Sequence, residues 1–245
     1  MNLPIRALLL AAGLGTRLRP LTNHTPKCLV PIAGKPLLAR WLEQLESIHC
    51  KAAIVNTHYL ADQVIAFLNK RQPSDITVQK VYEPELLGTA GTLLANQSFF
   101  AGSTGMLIHA DNATDTDLQC LIKAHRERPS QCILTMLTFN TKTPSQCGIV
   151  ETDAHGVVQS FHEKVSNPPC NQANGAVYVF DQELIDKLVA LGPGISDFST
   201  QVLPRLVGRI HTCHTNAHYL DIGTPDGLLE AQKIWPSDHN PKHDD

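Results

Sequence analysis

The chain has no Cys-x-x-Cys pair and no even set of cysteines; the seven stand at 28, 50, 120, 132, 147, 170 and 213. That argues against a disulfide framework or a zinc ribbon and fits reduced thiols. It has no apolar run near its start long enough for a signal-peptide core or a membrane span. Residues 7–12 are apolar, but Gly13 ends them. The expectation is a soluble, cytoplasmic protein with no membrane partner. There is no large excess of either charge. A net charge of −3 over 245 residues gives no general attraction to a nucleic acid polymer or an anionic surface. An anionic ligand would have to be held by local cations and backbone N–H groups. No internal repeat or low-complexity segment stands out.

What is present suits a folded α/β core, since 42% of the residues are hydrophobic and 18% charged. The unbroken apolar run 6–12 reads as a strand buried on both faces. Apolar spacing predicts a helix over 37–48, with Pro36 at its first position. A strand at 52–57, a helix at 61–70 and a strand at 76–81 follow. Gly88 to Gly91 form a turn into a helix over 90–97. A strand at 105–110 ends at Asp111, and a helix covers 115–127. This alternation predicts parallel strands with βαβ crossovers and a ligand at their carboxyl ends. Beyond 130 the pattern changes. Strands are expected at 131–139, 147–152, 157–162 and 175–180, helices at 182–191 and 197–206, a strand at 208–215 and a helix from 225. The expected fold is α/β and Rossmann-like: a mixed, mainly parallel central sheet with helices on both faces, plus a small β-rich lid region. One domain would span 1–236, in halves of 1–130 and 131–236, with a polar, frayed tail at 237–245.

The most informative stretch is 8–31, Leu-Leu-Leu-Ala-Ala-Gly-Leu-Gly-Thr-Arg-Leu-Arg-Pro-Leu-Thr-Asn-His-Thr-Pro-Lys-Cys-Leu-Val-Pro. Gly13 and Gly15 let phosphate oxygens approach main-chain N–H groups, and Thr16 adds a hydroxyl. Arg17 offers a bidentate fork and Lys27 a mobile point charge. Pro20, Pro26 and Pro31 stiffen the loop that carries them. Two other phosphate motifs fail. The dinucleotide fingerprint would need glycine at Leu18, and a Walker loop would need glycine at Leu29 and Ser or Thr at Pro36. A plain glycine turn with surface cations is the simpler alternative.

Leu-Ala-Ala-Gly-Leu-Gly-Thr-Arg-Leu-Arg-Pro-Leu-Thr, Pro-Lys-Cys-Leu-Val-Pro and Gly-Lys-Pro-Leu resemble the signature of sugar-1-phosphate nucleotidyltransferases. The resemblance continues through Leu-Gly-Thr-Ala-Gly at 87–91, Ala-Asp-Asn at 110–112, Cys-Gly-Ile-Val-Glu at 147–151, Glu-Lys at 163–164, Asn-Gly-Ala-Val-Tyr-Val-Phe at 174–180 and Leu-Asp-Ile-Gly-Thr-Pro at 220–225. It implies transfer of a nucleotidyl group from a nucleoside triphosphate to a sugar 1-phosphate, in a short form with no left-handed β-helix domain. It also implies Leu10, Ala12, Gly13, Gly15, Thr16, Glu83, Gly88 and Thr89 at the nucleotide, with Arg17, Lys27 and Lys164 acting on phosphates. Asp111 and Asp221 would hold Mg²⁺, the hard cation that offsets repulsion between two phosphates. Either aspartate could instead be a turn residue, and Ala110 stands where many relatives have Gly. Asn112, Gly148, Glu163, Asn174 and Gly175 would meet the sugar phosphate, although Val165 replaces a common proline.

Glu83 bears on the base. A carboxylate only accepts hydrogen bonds, and guanine offers two adjacent donors. This favours GTP, and Glu-x-x-Leu-Leu-Gly-Thr-Ala-Gly at 83–91 resembles the corresponding stretch of mannose-1-phosphate guanylyltransferases. A side chain turned to solvent, with Gly88 alone at the base, is the alternative. A uridylyl- or thymidylyltransferase is the rival within the class. A silent nucleotide-sugar-binding paralogue is the rival outside it. Ser196-Asp197-Phe198-Ser199 reads as a helix start. His211, Cys213, His214 and His218 read as strand positions rather than zinc ligands, and His162 as a packing or pocket residue. The sugar and the oligomeric state are not legible; a homo-oligomer stays open.

Overall fold

A computed structural model describes residues 3–235. In chain order the elements are β1 (Ile5–Leu10), β2 (Pro31–Ile32), β3 (Lys35–Pro36), α1 (Leu37–Ser47), β4 (Ala52–Thr57), α2 (Ala61–Asn69), β5 (Thr77–Tyr82), α3 (Gly88–Ala95), β6 (Thr104–His109), β7 (Asn112–Thr114), α4 (Leu118–Arg126), β8 (Leu134–Asn140), β9 (Gly148–Thr152), β10 (Val158–Glu163), β11 (Gln172–Phe180), α5 (Gln182–Leu191), β12 (Ile210–Thr215), β13 (Tyr219–Asp221) and α6 (Pro225–Ile234).

Strands β5, β4, β1 and β6 lie side by side and parallel. The alternating strands and helices of the first half produce this block, because a parallel neighbour needs a crossover. β1 is buried on both faces. Leu9 joins the core packed by α1, α2, α4 and α6, and Leu8 joins the core packed by α3, α5 and residues 198–206. α1 buries Leu37, Leu38, Trp41, Leu42 and Leu45, one helical stripe. Asp117 caps α4 by accepting from the Gln119 N–H at 2.9 Å.

The second half extends the sheet in antiparallel fashion. β11 pairs with β8 along one edge; on the other, Ala173 meets β9 and Val177–Phe180 meet β6. The register shifts between Asn174 and Tyr178, and Ala176 has φ 51°. This bulge sits beside the end of β6 and turns β11 from one partner to the other. β12 pairs in parallel with β8.

Several sequence expectations need correction. The helix expected over 197–206 is a π-helical turn at Phe198–Val202 followed by a 3₁₀ turn at Leu203–Leu206. Pro204 has no N–H and cannot continue an α-helix. Pro36 lies one place before α1, not at its first position. α4 starts at Leu118 rather than 115, and β11 starts at Gln172 rather than 175. The short strands β2, β3, β7 and β13 were not expected. The polar tail at 237–245 lies outside the described residues.

Candidate active site

The loops that leave β1, β5 and β6 open at one edge of the sheet, where parallel strands end. After β1 the chain runs through three 3₁₀ turns at Thr16–Leu18, Leu21–Asn23 and Lys27–Leu29. The segment is pinned at Thr22. Its hydroxyl donates to the Gly15 carbonyl at 2.7 Å, and its carbonyl accepts from the Tyr59 hydroxyl at 3.0 Å. This places Lys27 with its side chain only 8% exposed and its ammonium toward the strand ends.

The two aspartates are distant in sequence, and a small ladder joins them. β13 pairs antiparallel with β7, so Asp221 stands opposite Asn112, next to Asp111. Lys27 Nζ then bridges both carboxylates, 2.7 Å from Asp111 and 3.2 Å from Asp221. Arg17 Nη2 lies 3.3 Å from Asp221. Burial opposes the Asp111 charge, but the Lys27 ammonium and then His109 more than offset it and hold this carboxyl below its ordinary value. Gly223 completes the cluster by donating its N–H to Asp221 at 2.7 Å. A Cβ there would stand 2.6 Å from Arg17 Nη2 and 2.8 Å from Lys27 Nζ. A side chain at this position would therefore push the charged tips of Arg17, Asp221 and Lys27 apart.

Beside this cluster a cleft is lined by Leu10, Ala11, Ala12, Gly13, Lys27, Cys28, Asn56, Glu83, Leu86, Gly88, Thr89, Thr92, His109, Ala110 and Asp111. Glu83 does not point to solvent; it is 2% exposed. Its Oε1 accepts from Asn56 Nδ2 at 3.0 Å and Thr92 Oγ1 at 2.6 Å, and its Oε2 accepts from the Leu87 N–H at 3.2 Å. Three donors thus balance one buried carboxylate. Oε1 is filled, so one acceptor position remains on Oε2. The two-pronged match to guanine expected from the sequence is therefore not free as the side chain stands. Gly88 has φ 77°, and a Cβ there would collide with the Ser196 carbonyl. Thr89 Oγ1 accepts from the Phe198 N–H at 2.7 Å, and Ser196 O accepts from the Ala90 N–H at 2.8 Å. Gly88 and Thr89 line the cleft, but they also dock the Ser196–Phe198 segment against α3. Asp197 caps its turn by accepting from the Thr200 N–H at 2.7 Å.

On the second half, Gly148 stands opposite Glu163 in the β9–β10 pair. Lys164 has φ 49°, and its Nζ is 3.5 Å from Glu163 with the side chain 65% exposed. Asn174 spends its side chain on the bulge, accepting from the Ala176 N–H and donating to the Tyr178 hydroxyl, each at 2.8 Å. The Gly175 carbonyl accepts from the Tyr219 hydroxyl. Asn112 is buried, and its carbonyl accepts from Trp41 Nε1 at 2.9 Å. Gly15 and Thr16 shape the loop, and neither lines the cleft.

The sequence reading brought Arg17, Lys27, Asp111 and Asp221 to one cluster, and so they lie. It missed Asn56, Thr92, His109 and Gly223. Asn56 and His109 each interrupt an apolar strand near its end, which is a readable signal. Thr92 on α3 carried none. Of the histidines, His162 pairs with Glu151 at 3.1 Å, away from the cleft lining. His214 meets Thr138 at 3.3 Å and His218 meets Asp115 at 2.9 Å. Among the described residues no three His, Cys, Asp or Glu converge as metal ligands, and no helix is long and apolar enough to cross a membrane.

A buried-stem lysine, a surface arginine and paired carboxylates thus gather beside a glycine-lined cleft at the strand ends of an α/β sheet. The model of the nucleotidyl transferase family matches residues 6–237, and the chain belongs to that family. The mannose-1-phosphate guanylyltransferase catalytic subunit beta of Drosophila melanogaster is 30% identical over 238 residues, 95% of this chain and 63% of that protein. The chain thus spans less than two thirds of that relative's length. HddC from Yersinia pseudotuberculosis, complexed with GMP-PN, is 26% identical with a TM-score of 0.76, covering 94% of this chain and 98% of that one. UDP-glucose pyrophosphorylase from Acinetobacter baumanii has a TM-score of 0.81 over 98% of this chain and 95% of its own at 19% identity, a likeness of fold.

Proposed function

We propose that the protein transfers a nucleotidyl group, by preference guanylyl, from a nucleoside triphosphate to a sugar 1-phosphate. An oxygen of the acceptor phosphate attacks the α-phosphorus in line. The bond from that phosphorus to the bridging oxygen breaks, and pyrophosphate leaves with the electron pair. The nucleophile is already an anion, so no covalent intermediate or general base is needed, and catalysis is positioning plus charge stabilisation. The observation that carries this reading is the Lys27 ammonium held between Asp111 and Asp221 beside the cleft.

In this reading Arg17 meets the departing pyrophosphate, Lys27 leaves the carboxylates for the phosphates, and Lys164 swings from Glu163 to the acceptor phosphate. Two carboxylates gathered on one cation suit Mg²⁺, which takes one or two carboxylates and completes its shell with phosphates and water. Asp111 and Asp221 would hold it, and it would neutralise the approaching anions. Residues 1–130 serve the nucleotide and 131–236 the sugar, in the cytoplasm. Support for guanine is the free acceptor on Glu83 Oε2 and the likeness to a guanylyltransferase and to a GMP-PN complex. The test is pyrophosphate release from GTP, UTP, dTTP and ATP with a panel of sugar 1-phosphates. GTP should lead; equal turnover of all four would remove the base assignment.

A further inference from the structure

The floor of the cleft is a row of three side chains. Asn56, Leu10 and His109 are register partners across β4, β1 and β6 and all line the cleft. Adjacent strands are about 4.8 Å apart, so the row spans about 10 Å from Asn56 to His109. Asn56 is spent: it accepts from the Ala11 N–H at 2.7 Å and donates to Glu83 at 3.0 Å. Leu10 has no polar side-chain atom. His109 Nε2 is shut off from solvent and has no hydrogen-bond partner among the described residues. Its ring stands edge-on to Tyr178, 6.5 Å between centroids, and the Tyr178 hydroxyl already accepts from Asn174.

An orphaned buried polar atom is costly unless something completes it. A carbon side chain of similar shape would avoid that cost here. We propose that His109 selects a ring hydroxyl of the bound ligand, its imidazole turning on the cleft wall so that the closed-off Nε2 forms a hydrogen bond to it. This rests on the nucleotidyl-transfer reading. A ring that joins a base near Glu83 to phosphates near Asp111 must pass over Leu10 and His109, which places the ribose there first. The bulge of β11 lies on the other side of His109, so a hydroxyl of the acceptor sugar is the second source of the same chemistry. His109 acts on specificity and position; it forms no bond that breaks in the reaction.

The experiment compares wild type with His109→Leu and His109→Gln, the latter keeping an amide near the Nε2 position. Calorimetry reads the affinity for GTP, 2′-deoxy-GTP and 3′-deoxy-GTP, and steady-state assays read each KM and kcat with the sugar 1-phosphate that turns over fastest in the panel. His109→Leu should weaken binding of one substrate about tenfold, the size of one neutral hydrogen bond, with kcat changed less and the melting temperature not lowered. His109→Gln should recover most of the loss. A penalty that vanishes with one deoxy nucleotide assigns the ribose; a raised KM for the acceptor alone assigns the sugar. Equal penalties for GTP and both deoxy analogues with an unchanged acceptor KM, or no change in any of them, overturn the proposal. A wild type that binds GTP but releases no pyrophosphate sinks the activity reading alone, and calorimetry still decides on His109. A wild type that binds no nucleotide sinks both.

Discussion

Replacing Lys27 by methionine separates charge from packing at the centre of the site. The stem keeps its volume where the side chain is 8% exposed, while the ammonium contacts at 2.7 and 3.2 Å disappear. At an effective dielectric constant near 20, each contact is a gross attraction of about 5–6 kcal/mol. Asp111 and Asp221 keep 40% and 49% of their side-chain surface in water, so solvation recovers most of it. The net loss of stability is then about 1–2 kcal/mol, or about 2–8 °C in Tm for a chain of this length. On the proposed reaction the same charge would face developing negative charge in the transition state. Losing it there costs about 3–4 kcal/mol, about 10²–10³ in kcat. Pyrophosphate release and thermal unfolding on one sample measure both. Without nucleotide, the uncompensated carboxylates should also bind Mn²⁺ about tenfold tighter than in wild type. Turnover within threefold of wild type in a folded Lys27→Met variant would refute the reasoning.

Glu83→Gln places an amide NH₂ among three donors that now share a carboxylate. One donor is left unpaired at a cost of about 1–3 kcal/mol, and kcat/KM for GTP should fall relative to UTP and dTTP; an unchanged order in the nucleotide panel contradicts the role. The Asp181 carboxyl is held at about 2 against an ordinary 3.8 by His125, whose Nε2 lies 3.4 Å from Oδ2, and by the Arg128 guanidinium, which donates to the same oxygen at 2.5 Å. A depressed folded-state value stabilises above the unfolded pKa and is lost as pH falls through the folded one. Asp181→Asn should therefore cost about 1–2 kcal/mol at pH 7, with the gap to wild type closing between pH 4 and pH 2 in urea melts. A gap independent of pH would contradict the assignment.

Much of this fold is legible in the sequence where one physical signal dominates. The stripe Leu37, Leu38, Trp41, Leu42, Leu45 declares α1, and the unbroken run through Leu8 and Leu9 declares a strand buried on both faces. The pairing of β7 with β13 carries no such signal. Each strand is three residues long, too short for a period, yet this ladder seats Asp221 beside Asp111. The turn at 198–206 shows two signals in conflict: Asp197 is a true cap, and Pro204 forbids the helix it announces. Within the site, charges were easier to foresee than their neutral supports. Asn56 and Thr92 look like ordinary strand and helix residues until burial of Glu83 demands donors. Glu83 itself shows the limit of reading donors and acceptors from type alone, because the protein's own groups had already claimed most of its lone pairs.

The central claim is that one cluster of charges joins a triphosphate to a sugar phosphate. Mixing the protein with GTP, a panel of sugar 1-phosphates and Mg²⁺, then following pyrophosphate and the guanosine diphosphate sugar together, tests it most directly. Equal molar appearance of both products, abolished by Asp111→Asn, is the predicted result. Absence of both products with GTP, UTP and dTTP across a sugar 1-phosphate panel, from protein that melts cooperatively, would contradict it.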